Sequence, residues 1–366
     1  MQTDIRAAYP RMNVNLGKLR HNIRNVVSDC NAQGIEVCGV VKGFNGLERA
    51  VEEFVDGGCM EIGTSRVFNI RELRESGMDA RFLLLRIPMM SELEDVVEYV
   101  DTSLQSDLDT LRELDRVAGR MGRTHSVILM ADLGDLREGF WDREEMVQCG
   151  YIVETELKNL KLRGVGTNLG CYGSIKPTVD KMEDLIEIAE MIEDRIGRKL
   201  ETISGGATSS YPLVLDGTMP ERINHLRIGE GIMCAYDLPE LWGLEMDDLY
   251  KDVFTLEAQV IEVRRKPTHP VGEIIIDCFG RKPGYVDRGM RKRALIAAGK
   301  LDYALDDKIF PEYEGMEIIG SSSDHLIVDI EDCEKELKTG DIVKFNLSYP
   351  SVMYLTNDVY VSIGYI

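Results

Sequence analysis

Between residue 36 and about residue 230 the chain alternates short apolar runs with amphipathic stretches. The apolar runs at 36–41, 60–63, 82–86, 102–105, 126–131, 162–166, 200–204 and 225–228 predict eight strands. The segments between them have helical periodicity. In 47–55, Leu47, Ala50, Val51, Phe54 and Val55 fall on one face at i, i+3, i+4 spacing. A helix over 91–97 opens on a capping Ser91 with Glu94 three residues later. Segments 107–121, 143–157 and 179–196 predict longer helices. Nearly continuous apolar strands alternating with helices imply a parallel sheet covered on both faces. A six-stranded doubly wound sheet competes with a (β/α)8 barrel of the TIM type, and the count of eight favours the barrel.

Past residue 245 the pattern changes. Leu256, Ala258, Val260 and Val263 alternate with polar residues through 254–264. Further strand-like runs at 273–277, 294–298, 317–319, 326–330 and 342–347 are separated by Gly, Pro and Asp turns. The chain therefore reads as α/β: a barrel domain over 1–245 and a C-terminal antiparallel β domain over 246–366. The polar, Trp-containing segment 237–252 reads as the linker.

With 366 residues, 44% of them hydrophobic and 29% charged, the chain can bury two cores. Its formal net charge of −21 argues against a nucleic-acid partner, since phosphate binding needs clustered Lys and Arg. An acidic surface also attracts cations, although solubility is the simpler consequence of such a charge. The eight cysteines form no Cys-x-x-Cys pair and read as reduced, small core residues of a cytoplasmic protein. Residues 1–6 show no apolar signal core, and no run is long enough to span a membrane, so no membrane partner is expected. The five histidines lack metal-ligand spacing, so no metal is expected either.

Barrel active sites lie at the C-terminal ends of the strands. The first strand delivers Lys42 there, in Val41-Lys42-Gly43-Phe44. A lysine at the end of an apolar strand is partly desolvated, which lowers its pKa and frees the amine as a nucleophile. On position alone, a solvent-facing surface lysine is the commoner case. The seventh unit adds Ser204-Gly205-Gly206-Ala207-Thr208-Ser209, and the eighth adds Arg227-Ile228-Gly229-Glu230-Gly231. Backbone N–H groups unblocked by side chains, together with hydroxyls, suit a phosphate dianion, and these are the loops barrels use for one. The alternative is a pair of ordinary tight turns. Arg137, after the fifth strand, and Asn168, after the sixth, are further polar residues at strand ends.

Taken together, these strings resemble the alanine racemase superfamily of fold-type III pyridoxal-5′-phosphate (PLP) enzymes. The opening Arg11-Met12-Asn13-Val14-Asn15-Leu16 is also similar. Lys-Gly-Phe at 42–44, Asp-Leu-Gly-Asp-Leu-Arg-Glu-Gly at 132–139 and Ser-Ser-Asp-His-Leu-Ile at 322–327 most resemble the branch that contains ornithine racemase. The resemblance implies that Lys42 carries the cofactor, that Arg227 faces the pyridine nitrogen and that Arg137 lies near the 3-oxygen. From its place after the sixth strand, Asn168 reads as a residue that packs or bonds against an aromatic ring, or as a plain turn residue. Ser204, Gly206, Thr208, Gly229 and Glu230 (through its N–H) would hold the phosphate, with Ser65 adding a contact. The family's phosphate-binding Tyr, four residues after the lysine, is replaced by Gly46.

The implied activity is racemisation of a free amino acid, most simply a basic one such as ornithine. That reaction needs acid–base groups on both faces of the α-carbon. Lys42 would serve one face. In alanine racemases a partner-chain Tyr serves the other, which implies a homodimer; here Lys300 stands at the comparable place. Asp324 and His325, in Ser321-Ser322-Ser323-Asp324-His325, are the other candidates, although a structural role for His325 is as common. A PLP-dependent lyase, aldolase or decarboxylase on the same fold is the alternative. Zinc-using relatives carry His-x-Cys, whereas Leu326 and Ile327 follow His325 here. A non-catalytic PLP-homeostasis protein would consist of the barrel alone.

Overall fold

The computed structural model of the protein describes residues 8–277, 279–282 and 284–366. It divides into two units: Leu19–Leu249, and Tyr250–Ile366 together with the N-terminal segment up to Lys18.

Strand β1 (Arg11–Val14) and helix α1 (Leu16–Asn31) come first. Eight parallel strands then close into a barrel: β2 (Glu36–Val40), β3 (Glu61–Thr64), β4 (Phe82–Leu84), β5 (Thr102–Gln105), β6 (His125–Ala131), β7 (Leu160–Thr167), β8 (Thr202–Ser204) and β9 (His225–Ile228). Each strand pairs with the next, and β9 closes on β2 with Glu36 opposite His225. The helices between them are α2 (Glu48–Asp56), α3 (Val67–Glu75), α4 (Leu93–Tyr99), α5 (Leu108–Arg120), α6 (Arg143–Thr155) and α7 (Val179–Ile196). The short α8 (Tyr211–Leu215) follows β8, and α9 (Glu230–Met233) follows β9.

Local signals explain these boundaries. The Asp107 carboxylate caps α5 by accepting from Thr110 N at 2.7 Å, and α5 buries Leu111, Leu114, Val117 and Ala118 on one stripe. Thr178 caps α7, and Gly197 ends it at φ 77°. At α4 the expected cap moves. Glu92, not Ser91, serves the backbone, accepting from Met89 N at 3.0 Å, and α4 starts at Leu93.

The second unit is a largely antiparallel sheet. Its central strand β10 (Phe254–Pro267) pairs with β1, β11 (Met290–Ile296) and β15 (Ile342–Leu347). Between β11 and β15 lie the short α10 (Lys300–Tyr303), β12 (Ile309–Pro311), β13 (Glu317–Ser321) and β14 (Leu326–Asp329). After β15 come α11 (Tyr349–Leu355) and β16 (Ser362–Tyr365), which pairs parallel with β1. The expected alternation in β10 is real, with Leu256, Ala258 and Val260 buried.

Two expectations need correction. No strand forms over 273–277, where Ile275 and Ile276 are 70% and 63% exposed and find no apolar face to cover. The domain division is discontinuous rather than 1–245 and 246–366, because the β1–β10 ladder draws the N-terminal segment into the second unit. Seven cysteines are described and all are free; five are buried, but Cys171 is exposed, and Cys278 lies outside the described residues. No helix among the described residues is long and apolar enough to cross a membrane.

Candidate active site

The barrel residues singled out in the sequence come to one face, at the C-terminal ends of the strands. Lys42 opens a tight turn immediately after β2. Asn45 ends that turn at φ 53°, and the Asn69 amide from α3 pins it by donating to Asn45 O at 2.5 Å and Oδ1 at 2.9 Å. Gly46 has φ +67°, and a Cβ there would lie 3.1 Å from Asn69 Nδ2. A side chain at this position would be strained by the left-handed backbone and would crowd Asn69.

The Lys42 side chain reaches solvent at the barrel mouth but is surrounded by the strand ends. Burial of its amine lowers its pKa below the ordinary lysine value, and the Arg137 and Arg227 charges push the same way. Both effects favour a neutral, nucleophilic amine.

Arg227, in β9, is 4% exposed. Its guanidinium donates to Thr167 O at 2.6 Å and to Ser204 Oγ, and among the described residues no carboxylate forms an ion pair with it. Burial lowers its pKa, yet an arginine keeps its proton at any working pH.

The two glycine-rich loops meet. Thr208 Oγ1 accepts from Gly231 N at 3.1 Å, and Arg227 N donates to Gly206 O at 2.9 Å. Thr208 therefore keeps its own proton to donate elsewhere. Gly206 has φ +118°, and a Cβ there would meet Ser210 Oγ at 2.6 Å. At Gly229 a Cβ would come within 3.0 Å of Val40 O at the end of β2. Ser204 differs from its expected role. Its hydroxyl is fully buried and committed to Arg227 and His225, so it supports Arg227 rather than facing a phosphate. The Glu230 carboxyl turns inward and accepts from Tyr236 N at 2.8 Å and Asp237 N at 3.0 Å.

Arg137 lies in a folded loop after β6, paired to Glu138 at 2.9 Å and 39% exposed at the side chain. Asp132 Oδ1 shapes that loop by accepting from Gly134 N and Leu136 N. The buried Asp135 accepts from Cys171 N at 3.2 Å and Tyr172 N at 3.1 Å, tying the loops after β6 and β7 together. Ser65 follows β3 and Asn168 follows β7; both are half-buried.

The three remaining candidates belong to the β unit, where the structure brings two distant stretches together. Lys300 N donates to Ser322 O at 3.0 Å, and Leu301 N to Ser323 O at 3.1 Å. Lys300 Nζ pairs with Asp306 at 2.5 Å and lies 5.6 Å from the Phe279 ring centroid. Asp306 also accepts from Tyr303 at 3.2 Å and from Ser321. Asp324 and His325 are exposed.

Sequence reasoning passed over Asn69, Asp135, Glu61, Arg163 and His225. The last three carried a signal, as charged or titratable residues within apolar strand runs.

A PLP molecule needs a lysine amine of lowered pKa, a donor for its ring nitrogen and donors for its phosphate. Lys42, Arg227 and the paired loops around Thr208 and Gly231 supply that set, so the residues present fit the cofactor.

Comparison with known proteins agrees. The family model described as "Alanine racemase, N-terminal domain" matches residues 14–237. The ornithine racemase of Acetoanaerobium sticklandii is 38% identical over 94% of this chain and 96% of its own length. The lysine racemase of Thermotoga maritima is 39% identical over 94% of this chain and 95% of its own. Among solved structures, the alanine racemase from Streptomyces coelicolor superposes with a TM-score of 0.75 at 18% identity, covering 97% of each chain.

Proposed function

This chain belongs to the alanine racemase family, and on that premise we propose that it is a cytoplasmic PLP-dependent racemase of a basic amino acid, ornithine or lysine. The observation that carries the reading is the pairing at one barrel mouth of a lysine with a depressed pKa and a buried arginine that no carboxylate neutralises. The names of the two full-length relatives support a basic substrate, and the net charge of −21 favours encounter with a cationic amino acid.

Bound PLP supplies the electron delocalisation that makes an amino acid's α-proton acidic. Lys42 would hold the cofactor through its amine, and Lys42 Nζ removes or returns the substrate α-proton on one face. The Arg227 guanidinium would hold the ring nitrogen and cannot give up a proton to it, which would limit how long negative charge persists at the α-carbon. That favours immediate proton return over side reactions. Thr208, with the backbone of Gly206, Gly229 and Glu230, would hold the phosphate. Arg137 would donate to the 3-oxygen, Asn168 would pack against the ring, and Ser65 would add a contact. Lys300 serves the opposite face of the α-carbon, with Asp324 and His325 as the other candidates, contributed by the β unit of a second copy in a homodimer.

Chiral chromatography tests the proposal. The enzyme, supplied with PLP, is incubated separately with L-ornithine, L-lysine, L-arginine and L-alanine. Formation of D-ornithine or D-lysine faster than D-alanine is expected. Turnover of alanine alone, or release of a decarboxylated or cleaved product, overturns it.

A further inference from the structure

The lumen of the barrel holds an ionic network below the proposed cofactor site. Glu61 on β3 and Arg163 on β7 form an ion pair, and those strands do not neighbour each other, so the pair crosses the lumen. Arg163 Nη1 also donates to Thr102 Oγ1 at 3.2 Å. The second oxygen of Glu61 lies 3.3 Å from His225 Nε2, at ion-pair distance but outside hydrogen-bond geometry. His225 Nδ1 lies 2.7 Å from Ser204 Oγ, which takes a hydrogen bond from Arg227. Glu61 and His225 are each 1% exposed, and Ser204 is fully buried.

Counting protons gives this chain a direction. A guanidinium nitrogen can only donate, so Ser204 Oγ accepts from Arg227. The single Ser204 hydroxyl proton is then free to donate to His225 Nδ1, which must offer a lone pair. The His225 proton therefore sits on Nε2 and points at Glu61. The opposite tautomer places a bare nitrogen against a carboxylate oxygen in a dry interior and takes from the Ser204 hydroxyl proton the acceptor it has in His225 Nδ1. Such unsatisfied buried groups are costly. Burial keeps His225 neutral, since it lowers the imidazole pKa against the pull of Glu61. Burial alone would raise the Glu61 carboxyl, but His225 and Arg163 outweigh it and hold the group at about 2.

We propose that Glu61, His225 and Ser204 form a relay of fixed direction, in which the Glu61 carboxylate orients the His225 ring through their ion-pair contact and hydrogen bonds carry that orientation through Ser204, holding the Arg227 guanidinium in place and making all three positioning residues for Arg227. The proposal rests on the role given to Arg227 above. The relay solves a particular problem. A carboxylate placed directly on Arg227 would neutralise the charge that the cofactor is to meet. A neutral hydroxyl fixes the same geometry and leaves the charge intact, while the balancing carboxylate stays behind two intervening residues, Ser204 and His225. The carbonyl of Thr167 fixes the second direction of the guanidinium in the same neutral manner.

Cys38, Glu61 and His225 also offer ligand atoms within 4.8 Å of one another, which raises a metal ion as a competing occupant. Arg163 already occupies one Glu61 oxygen, and a cation there would face that guanidinium. The relay reading uses the same atoms without that repulsion.

Nuclear magnetic resonance on the PLP-loaded enzyme with 15N-labelled histidine decides the tautomer. The His225 signals are assigned by their loss in His225→Asn. The proton should sit on Nε2 and stay there from about pH 6 to about pH 9, a range that spans the ordinary histidine transition. A proton on Nδ1, or a ring that titrates in that range, overturns the relay. So does a change in these signals on adding zinc.

A second measurement reads the consequence. Ser204→Ala removes the link with little change in volume. It should lower kcat by about tenfold, as loss of a hydrogen bond to a charged group does. KM should stay within about twofold, because the Ser204 hydroxyl bonds to Arg227 and not to substrate. The fraction of turnovers ending in keto acid should rise. Borohydride labelling of Lys42 in the same variant serves as the control. Normal labelling with unchanged kcat and product ratio overturns the relay. Failure to label Lys42 in the unsubstituted enzyme counts against the proposed function instead, and the tautomer measurement still decides the relay.

Discussion

The guanidinium of Arg227 reaches past its neighbouring strand to the backbone carbonyl of Thr167, 2.6 Å away. A carbonyl partner orients the cation without reducing its charge, and the charge is what suppresses protonation of the group it faces. Arg227→Glu replaces a permanent donor with an acceptor and should invite a proton there. We expect racemisation to slow by about tenfold or more, given the loss of a charged hydrogen bond, and keto-acid formation to rise. Product analysis after prolonged turnover checks this. Normal cofactor binding with an unchanged product ratio contradicts the role given to Arg227.

Glu230 makes a pH prediction that is independent of catalysis. Burial raises its carboxyl to about 7, and the Asp237 charge acts in the same direction, against the opposing N–H groups of Asp237 and Tyr236. In the unfolded chain the group ionises near 4.5. Between those two values the folded state holds the extra proton, so folding becomes less favourable as pH rises through that window and levels off above it. The penalty is up to about 3 kcal/mol. Glu230→Gln keeps the accepting oxygen and removes the charge. Denaturant unfolding at fixed PLP should show the variant gaining on the unsubstituted protein between about pH 5 and about pH 8. A parallel pH dependence in the two proteins contradicts the assignment.

The opposite face of the α-carbon is the subject of a complementation test. Lys42→Ala and Lys300→Ala chains should each be inactive as homodimers. Mixed, they should regain one sound site per pair, since a symmetric dimer of one mutant with the other leaves one site with both bases intact. His325→Ala in place of Lys300→Ala gives the comparison. Lys300 is favoured by its position and by the Asp306, Tyr303 and Ser321 cluster that holds it. No recovery after confirmed subunit exchange contradicts a shared site.

Periodicity made much of the fold legible. All eight barrel strands were visible because each is an apolar run set between amphipathic helices, and α7 matches its expected span of 179–196. The N-terminal β1 escaped because a four-residue strand is recognised by its partners, and those are β10 and β16, far away in the chain. At the candidate site, strand-end position and loop chemistry marked out Lys42, Thr208 and the segment holding Arg227 in the sequence, and the fold sets them at the C-terminal ends of β2, β8 and β9. Ser204 was misplaced because a hydroxyl beside two glycines looks the same whether it faces a phosphate or an arginine. Only the buried contacts with His225 and Arg227 distinguish these cases. Asn69 and Asp135 carried no local signal; each matters by bonding a loop from a different unit of the barrel.

The proposed function stands or falls with Lys42 as the residue that holds the cofactor. Borohydride reduction of the PLP-loaded enzyme is followed by proteolysis and mass mapping. A single reduced adduct is expected on the peptide carrying Val41-Lys42-Gly43-Phe44, and its loss in Lys42→Ala. An adduct on any other lysine of the unsubstituted enzyme, or none at all despite stoichiometric PLP binding, would contradict it.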